Sequence, residues 1–182
     1  MSLWKWLGLE RDAGASEFDC LEAIERALPA IASGRRRYAA CLAYILTRSA
    51  RADQQVSDSE AAEMARFLGV LTGVPAAQAA EAVRLAGVQA RRSGGTDDFV
   101  VTREFDTLAT HAEKLALIDA LFAVSSVDAS IVTVEDNEIR RIANELKIEH
   151  AEYIAVRSKH LKNLAVLRGR GQAEGGRAEG DR

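Results

Sequence analysis

The chain has 182 residues, 48% of them apolar and 5% aromatic, with 24 Lys+Arg against 27 Asp+Glu and a net charge of −3. That length suits one domain with a real core, and the acidic balance speaks against a nucleic-acid binder held by phosphate contacts. Two cysteines, Cys20 and Cys41, are too few for a disulfide framework and read as buried cytosolic thiols, no apolar run approaches the ~20 residues of a membrane span, and MSLWKWLGLER is charged too early for a secretory signal.

Residues 1–14 form a segment of their own character. Leu3, Trp4 and Leu7 share a helical face, and both tryptophans of the chain, Trp4 and Trp6, stand here. Such a segment packs back on its own domain, enters a partner's groove, or lies peripherally at the inner membrane face. From residue 15 to 167 helix formers dominate and alternating β-branched runs are nearly absent, so the expected fold is an all-α domain. Ser16 suits the N-cap of a first helix that Pro29 ends near Leu28. Gly34 separates it from a helix over about Arg36–Ala52, where Leu42, Ile45, Leu46 and Ser49 follow i, i+3, i+4, i+7 spacing. Ser57-Asp58-Ser59-Glu60 is a capping box that opens the next helix, with Met64, Phe67, Leu68 and Leu71 as its stripe and Gly69 and Gly73 marking its end. Pro75 opens a helix running to about Arg92, and Ser93–Asp98 is the clearest internal loop. Helices follow over about Thr102–Ala109, His111–Val127, Glu135–Leu146 and His150–Leu167. From Arg168 to Arg182 no apolar residue exceeds Ala, and this tail is expected to be disordered.

An internal repeat organises the middle of the chain. Shifted by 75 residues, Leu42–Phe67 lies over Leu117–Ile142 without a gap, and Leu42/Leu117, Leu46/Leu121, Asp53/Asp128, Glu60/Glu135, Glu63/Glu138 and Arg66/Arg141 coincide. Two helical hairpins about a pseudo-two-fold axis, with helices at their flanks, are the expected architecture.

The acids at the two hairpin bends carry the candidate chemistry. Eleven residues from Leu42, at about 100° each, bring Asp53 back near the same face, and Asp128 stands in the same relation to Leu117. An aspartate at a helix C-terminus opposes the macrodipole, so something must compensate it in both repeats. Glu60 and Glu135 each lie four residues before the stripe residues Met64 and Ile139. Two readings stand side by side. In one, each Asp bonds the backbone of its own turn and each Glu complements a helix N-terminus. In the other, the acids surround a hard divalent cation, Ca²⁺, Mg²⁺ or Mn²⁺, with Asp53, Glu60, Asp128 and Glu135 as ligands and Glu63, Asp136 and Glu138 as outer carboxylates. The bend is not an EF-hand: the loop from Asp128 has Val132 and Ile139 where such a loop needs oxygen ligands, and Ala129–Glu135 contains no Gly for the sharp turn.

These residues carry a resemblance. Ala52-Asp53-Gln54-Gln55-Val56-Ser57-Asp58-Ser59-Glu60 resembles the first bend of the TerB-like family, named for bacterial tellurite resistance. Leu121-Phe122-Ala123-Val124, Asp128, Ile131, Glu135-Asp136-Asn137, Arg140-Arg141-Ile142-Ala143 and Leu146 resemble its second bend in order and spacing. The similarity spans about Arg36–Leu167; Gln54 and Ala129 stand where the family usually has Gly. It implies an all-helical, pseudo-symmetric bundle with no established enzymatic activity and a possible metal-binding acidic surface. It further implies a cytoplasmic role in stress-response assemblies, some at the inner face of the membrane, through protein partners.

No HExxH, CxxC, nucleophile elbow, Walker loop or GxGxxG occurs. His111, His150 and His160 read as surface residues, and Arg35-Arg36-Arg37 as the solvated start of a helix. The expectation is therefore a non-catalytic interaction module.

Overall fold

The computed structural model describes residues 19–50, 56–127 and 133–161, and among them helix follows helix with no strand. In chain order these are α1 (Asp19–Arg26), α2 (Ser33–Ala50), α3 (Asp58–Thr72), α4 (Ala76–Ser93), α5 (Asp98–Leu108), α6 (His111–Ser125) and α7 (Thr133–Glu145), followed by α8 over 150–161. The domain limits at 14/15 and 167/168, the Ser16 cap and the C-terminal tail lie outside the described residues. None of the described helices is long and apolar enough to cross a membrane.

The caps explain where the helices start. Ser57 Oγ accepts from the Glu60 N–H while the Glu60 carboxylate accepts from the Ser57 N–H at 2.8 Å, the reciprocal box expected from the sequence. The same device recurs at Thr110 and Glu113, where the sequence reading placed only a boundary. Gly69 corrects an expectation: it lies inside α3, which runs on to Thr72. A Cβ at Gly69 would stand 3.4 Å from the Val74 carbonyl, so a close approach, not a stop, occupies that site. Gly73 is the terminator, with φ 73 and its N–H bonding the Gly69 carbonyl. At its start α5 gains a turn over the expected one, because Asp98, placed in the preceding loop by composition, is its first residue.

Every residue from Tyr38 to Ser49 is buried, so α2 is enclosed on all sides beyond its first turn and a half. It packs against α1, α3, α4, α5, α6 and α7. The run of Ala, Leu, Ile, Cys and Tyr from Tyr38 to Leu46 leaves no polar face for water, which is why the helix becomes the axis of the domain. Helix α6 is the second core element, with Leu117, Ile118, Leu121 and Phe122 at 0% exposure. Tyr38 stacks on Phe105 of α5 at 5.2 Å, and Phe122 meets Tyr153 of α8 at 5.8 Å.

Shifted by 75, Ala50 at the end of α2 falls on Ser125 at the end of α6, and Asp58 at the start of α3 falls on Thr133 at the start of α7. Leu42 and Leu117, Leu46 and Leu121, and Met64 and Ile139 are buried in both copies. The surroundings of the copies differ, since α1, α4 and α5 pack chiefly on α2, while α5 reaches α6 through the Asp106–Lys114 ion pair.

Candidate functional site

Helices α3 and α7 place their acidic first turns directly after the two bends. Glu60 and Glu135, at equivalent repeat positions, are 6% and 3% exposed, so both carboxylates are carried into the domain as their register predicts. Asp53 and Asp128 lie outside the described residues. Glu60 accepts from both the backbone N–H and the hydroxyl of Ser57, at 2.8 and 3.0 Å. Two donors and the positive end of α3 stabilise that carboxylate in place.

The outer carboxylates are held by arginines. Glu63 takes the Arg66 guanidinium through both oxygens at 2.6 and 2.8 Å, which lowers its pKa. Asp136 accepts from Arg157 at 2.7 and 2.9 Å and from the Tyr153 hydroxyl at 3.1 Å. The Arg157 bonds hold its carboxyl below the usual range against the opposing effect of burial. Glu138 is bound by Arg48 at 2.6 Å, with Arg141 at 3.8 Å. Among the described residues no group of three or more His, Cys, Asp and Glu is arranged to hold a metal ion. Glu63, Asp136 and Glu138 thus turn carboxylate oxygens towards the guanidinium groups of Arg66, Arg157 and Arg48.

The polar centre of the molecule is one that the sequence reading did not single out. Arg48 is 1% exposed on α2. Its Nε donates to Glu138, its two terminal nitrogens to Glu145 at 2.7 and 3.1 Å, and one of them also to Thr102 Oγ1 at 2.8 Å. Asp98 lies 3.6 Å away and receives the Tyr44 hydroxyl at 3.1 Å. Burial opposes the charge, yet the bonds to Glu145 and Glu138 outweigh it and raise the Arg48 pKa. One guanidinium thus ties α2 to α5 and α7. A signal was present: Arg48 is the first charge after Arg37 in an otherwise neutral helical run.

Two further expectations change. His160 is buried, bonded to Asp119 at 3.0 Å and stacked on Phe122 at 5.8 Å, so it is a packing residue and not a surface one. His111 and His150 are exposed as expected. The Arg35–Arg37 run does more than solvate a helix start. Arg35 pairs with Glu113 and covers the Tyr38 ring at 3.7 Å, Arg36 donates to the Ile31 carbonyl at 3.1 Å, and Arg37 bonds Glu25 at 2.6 Å. Cys20 and Cys41 are buried free thiols. Burial, with the Asp97 carboxylate next, pushes Cys20 up to about 12, and burial raises Cys41 as well, so neither is a thiolate nucleophile at neutral pH.

A family model described as "Tellurite resistance protein TerB" matches residues 39–158, from the core of α2 into α8. No curated protein and no solved structure matches the chain.

Proposed function

Since this chain belongs to the TerB family, we propose that it is a non-catalytic interaction module of the bacterial cytoplasm, a helical frame that serves stress-response assemblies by contacting other proteins. The observation that carries this reading is the use of the buried charges. Arg48, Asp98, Glu138 and Glu145 are spent on one another and on joining α2, α5 and α7. Groups committed in this way hold a shape and are not poised for proton transfer, which needs a perturbed acid or base facing a substrate cleft.

A second reading is favoured by the bends. Two buried glutamates at equivalent positions, each following an aspartate by seven residues, offer the oxygen donors that a hard cation takes. Glu60 with Asp53, and Glu135 with Asp128, would hold the ion, and the ion would supply charge compensation at two helix junctions.

Thermal unfolding of chelator-treated protein with Ca²⁺, Mg²⁺ and Mn²⁺ in millimolar excess separates the two. A cation present at about 100 times its Kd adds about 2.7 kcal/mol, a rise of several degrees in Tm at this size. A rise that disappears in Asp53→Asn and Asp128→Asn supports the cation. An unchanged Tm with every metal leaves the acids as helix caps and the module as a protein-contact frame alone.

A further inference from the structure

The face formed by α3 and α4 carries two adjoining hollows of about 450 and 510 Å³ that share Ala62, Ala65 and Ala80, so they form one continuous groove. Its floor is small side chains, and Val70 stands on its margin at 67% exposure. Alanine and glycine at this spacing leave the depth that a large side chain fills, and an exposed valine beside it is apolar surface without cover. We propose that this groove is the docking site of the chain's own N-terminal segment, with Leu3, Trp4 and Leu7 laid against Ala62, Ala65 and Ala80. The inference is independent of the cation reading.

Reach supports this occupant. Eighteen residues precede Asp19, where α1 begins. Helix α1 packs on α4, and Cys20 lies against Asp97, just beyond the C-terminal end of α4. The groove extends along α4 to Arg91, at that same end. Bringing the segment from α1 to the groove requires passing around one helix, some 10–12 Å across. Glu10–Phe18, nine residues, span up to about 30 Å when extended, which covers the path.

Size and charge agree with it. From Ala61 to Val70 the groove follows about 14 Å of α3, and Leu3–Leu9 as two helical turns is about 10 Å long. Glu10, Arg11 and Asp12, with one net negative charge, follow the tryptophans in sequence and would pass the Arg91 end of the groove. A tethered segment meets the groove at an effective concentration near millimolar, well above what a second copy supplies at ordinary protein concentrations. That advantage selects the chain's own segment over another copy.

Intrinsic fluorescence tests this directly, because Trp4 and Trp6 are the only tryptophans in the sequence. With the full chain, the expected result is blue-shifted emission and weak quenching by acrylamide, both unchanged on dilution from high to low micromolar protein. Ala62→Glu/Ala80→Glu, at two exposed helical positions, should shift emission to the red and raise quenching several-fold while far-UV circular dichroism stays the same. Val70→Asp, at the other end of the groove, should do the same if the double variant loses helix content. Solvent-like emission in the unaltered chain overturns the proposal, and so does protected emission that neither groove variant changes. Protection that fades on dilution assigns the groove to a second copy, and a blue shift that needs phosphatidylserine vesicles assigns the segment to a membrane; either result overturns docking within one chain.

Discussion

Arg48 and Asp136 show how single side chains carry the electrostatics of this domain. Removing the Arg48 guanidinium leaves Glu138, Glu145 and Asp98 gathered around a void with little water to solvate them. Arg48→Ala should therefore cost about 3–5 kcal/mol, measured by urea unfolding, because an uncompensated buried charge is worth more than a lost contact. A cost below 1 kcal/mol would mean that water or Arg141 takes over the compensation. Asp136 gives a pH signature with a definite sign. Its folded pKa is depressed by Arg157, so it contributes stability above the unfolded carboxylate value near 3.9, and that contribution is lost as pH falls through the depressed folded value. Asp136→Asn should be less stable than the unaltered chain by about 1–3 kcal/mol at pH 7, with the gap closing below about pH 4. A gap that stays constant between pH 7 and pH 3 would assign the effect to packing instead.

At the level of the helix, termini decide lengths. Ser57 and Thr110 head α3 and α6 with complete capping boxes. Each Ser57→Ala or Thr110→Ala substitution should lower stability by about 1 kcal/mol, and the pair should be additive, since the two boxes share no partner. Gly73→Ala offers a cleaner backbone test. No atom lies within 4 Å of the added Cβ, so the φ of 73 alone sets the penalty, about 1–2 kcal/mol. Differential scanning calorimetry on these variants reads the effect, and an unchanged Tm for Gly73→Ala would show that α3 can end another way. The Ser57 box and the Gly73 terminator were legible in the sequence because capping links residues three or four apart, whereas the Thr110 box was read only as a boundary. Gly69 was misread for the complementary reason: its role depends on where the Val74 carbonyl returns, and a lone glycine inside a stripe looks the same whether it ends a helix or accepts a close neighbour.

Across the whole molecule, α2 is the element on which the others are assembled. Every residue from Tyr38 to Ser49 is buried, so its amides should exchange only through global unfolding, and native-state hydrogen exchange should find the slowest protons there, ahead of α3 and α7. Slower exchange in α6 than in α2 would contradict that hierarchy. Among the described residues, the helices, the stripes that face the core, the Ser57 box and the inward turn of Glu60 and Glu135 could all be read from residues a few positions apart, because periodicity and capping are local. The same repeat pointed to acids at both bends, yet it could not tell a ligand from a partner of arginine. Glu138 finds Arg48 across 90 residues and Glu145 finds it across 97, while Asp136 meets Arg157 from a neighbouring helix. His160 goes inside because Asp119 and Phe122 of α6 receive it. Local pattern says which face of a helix seeks the interior, whereas the identity of the group that meets a charge there depends on how distant helices are brought together.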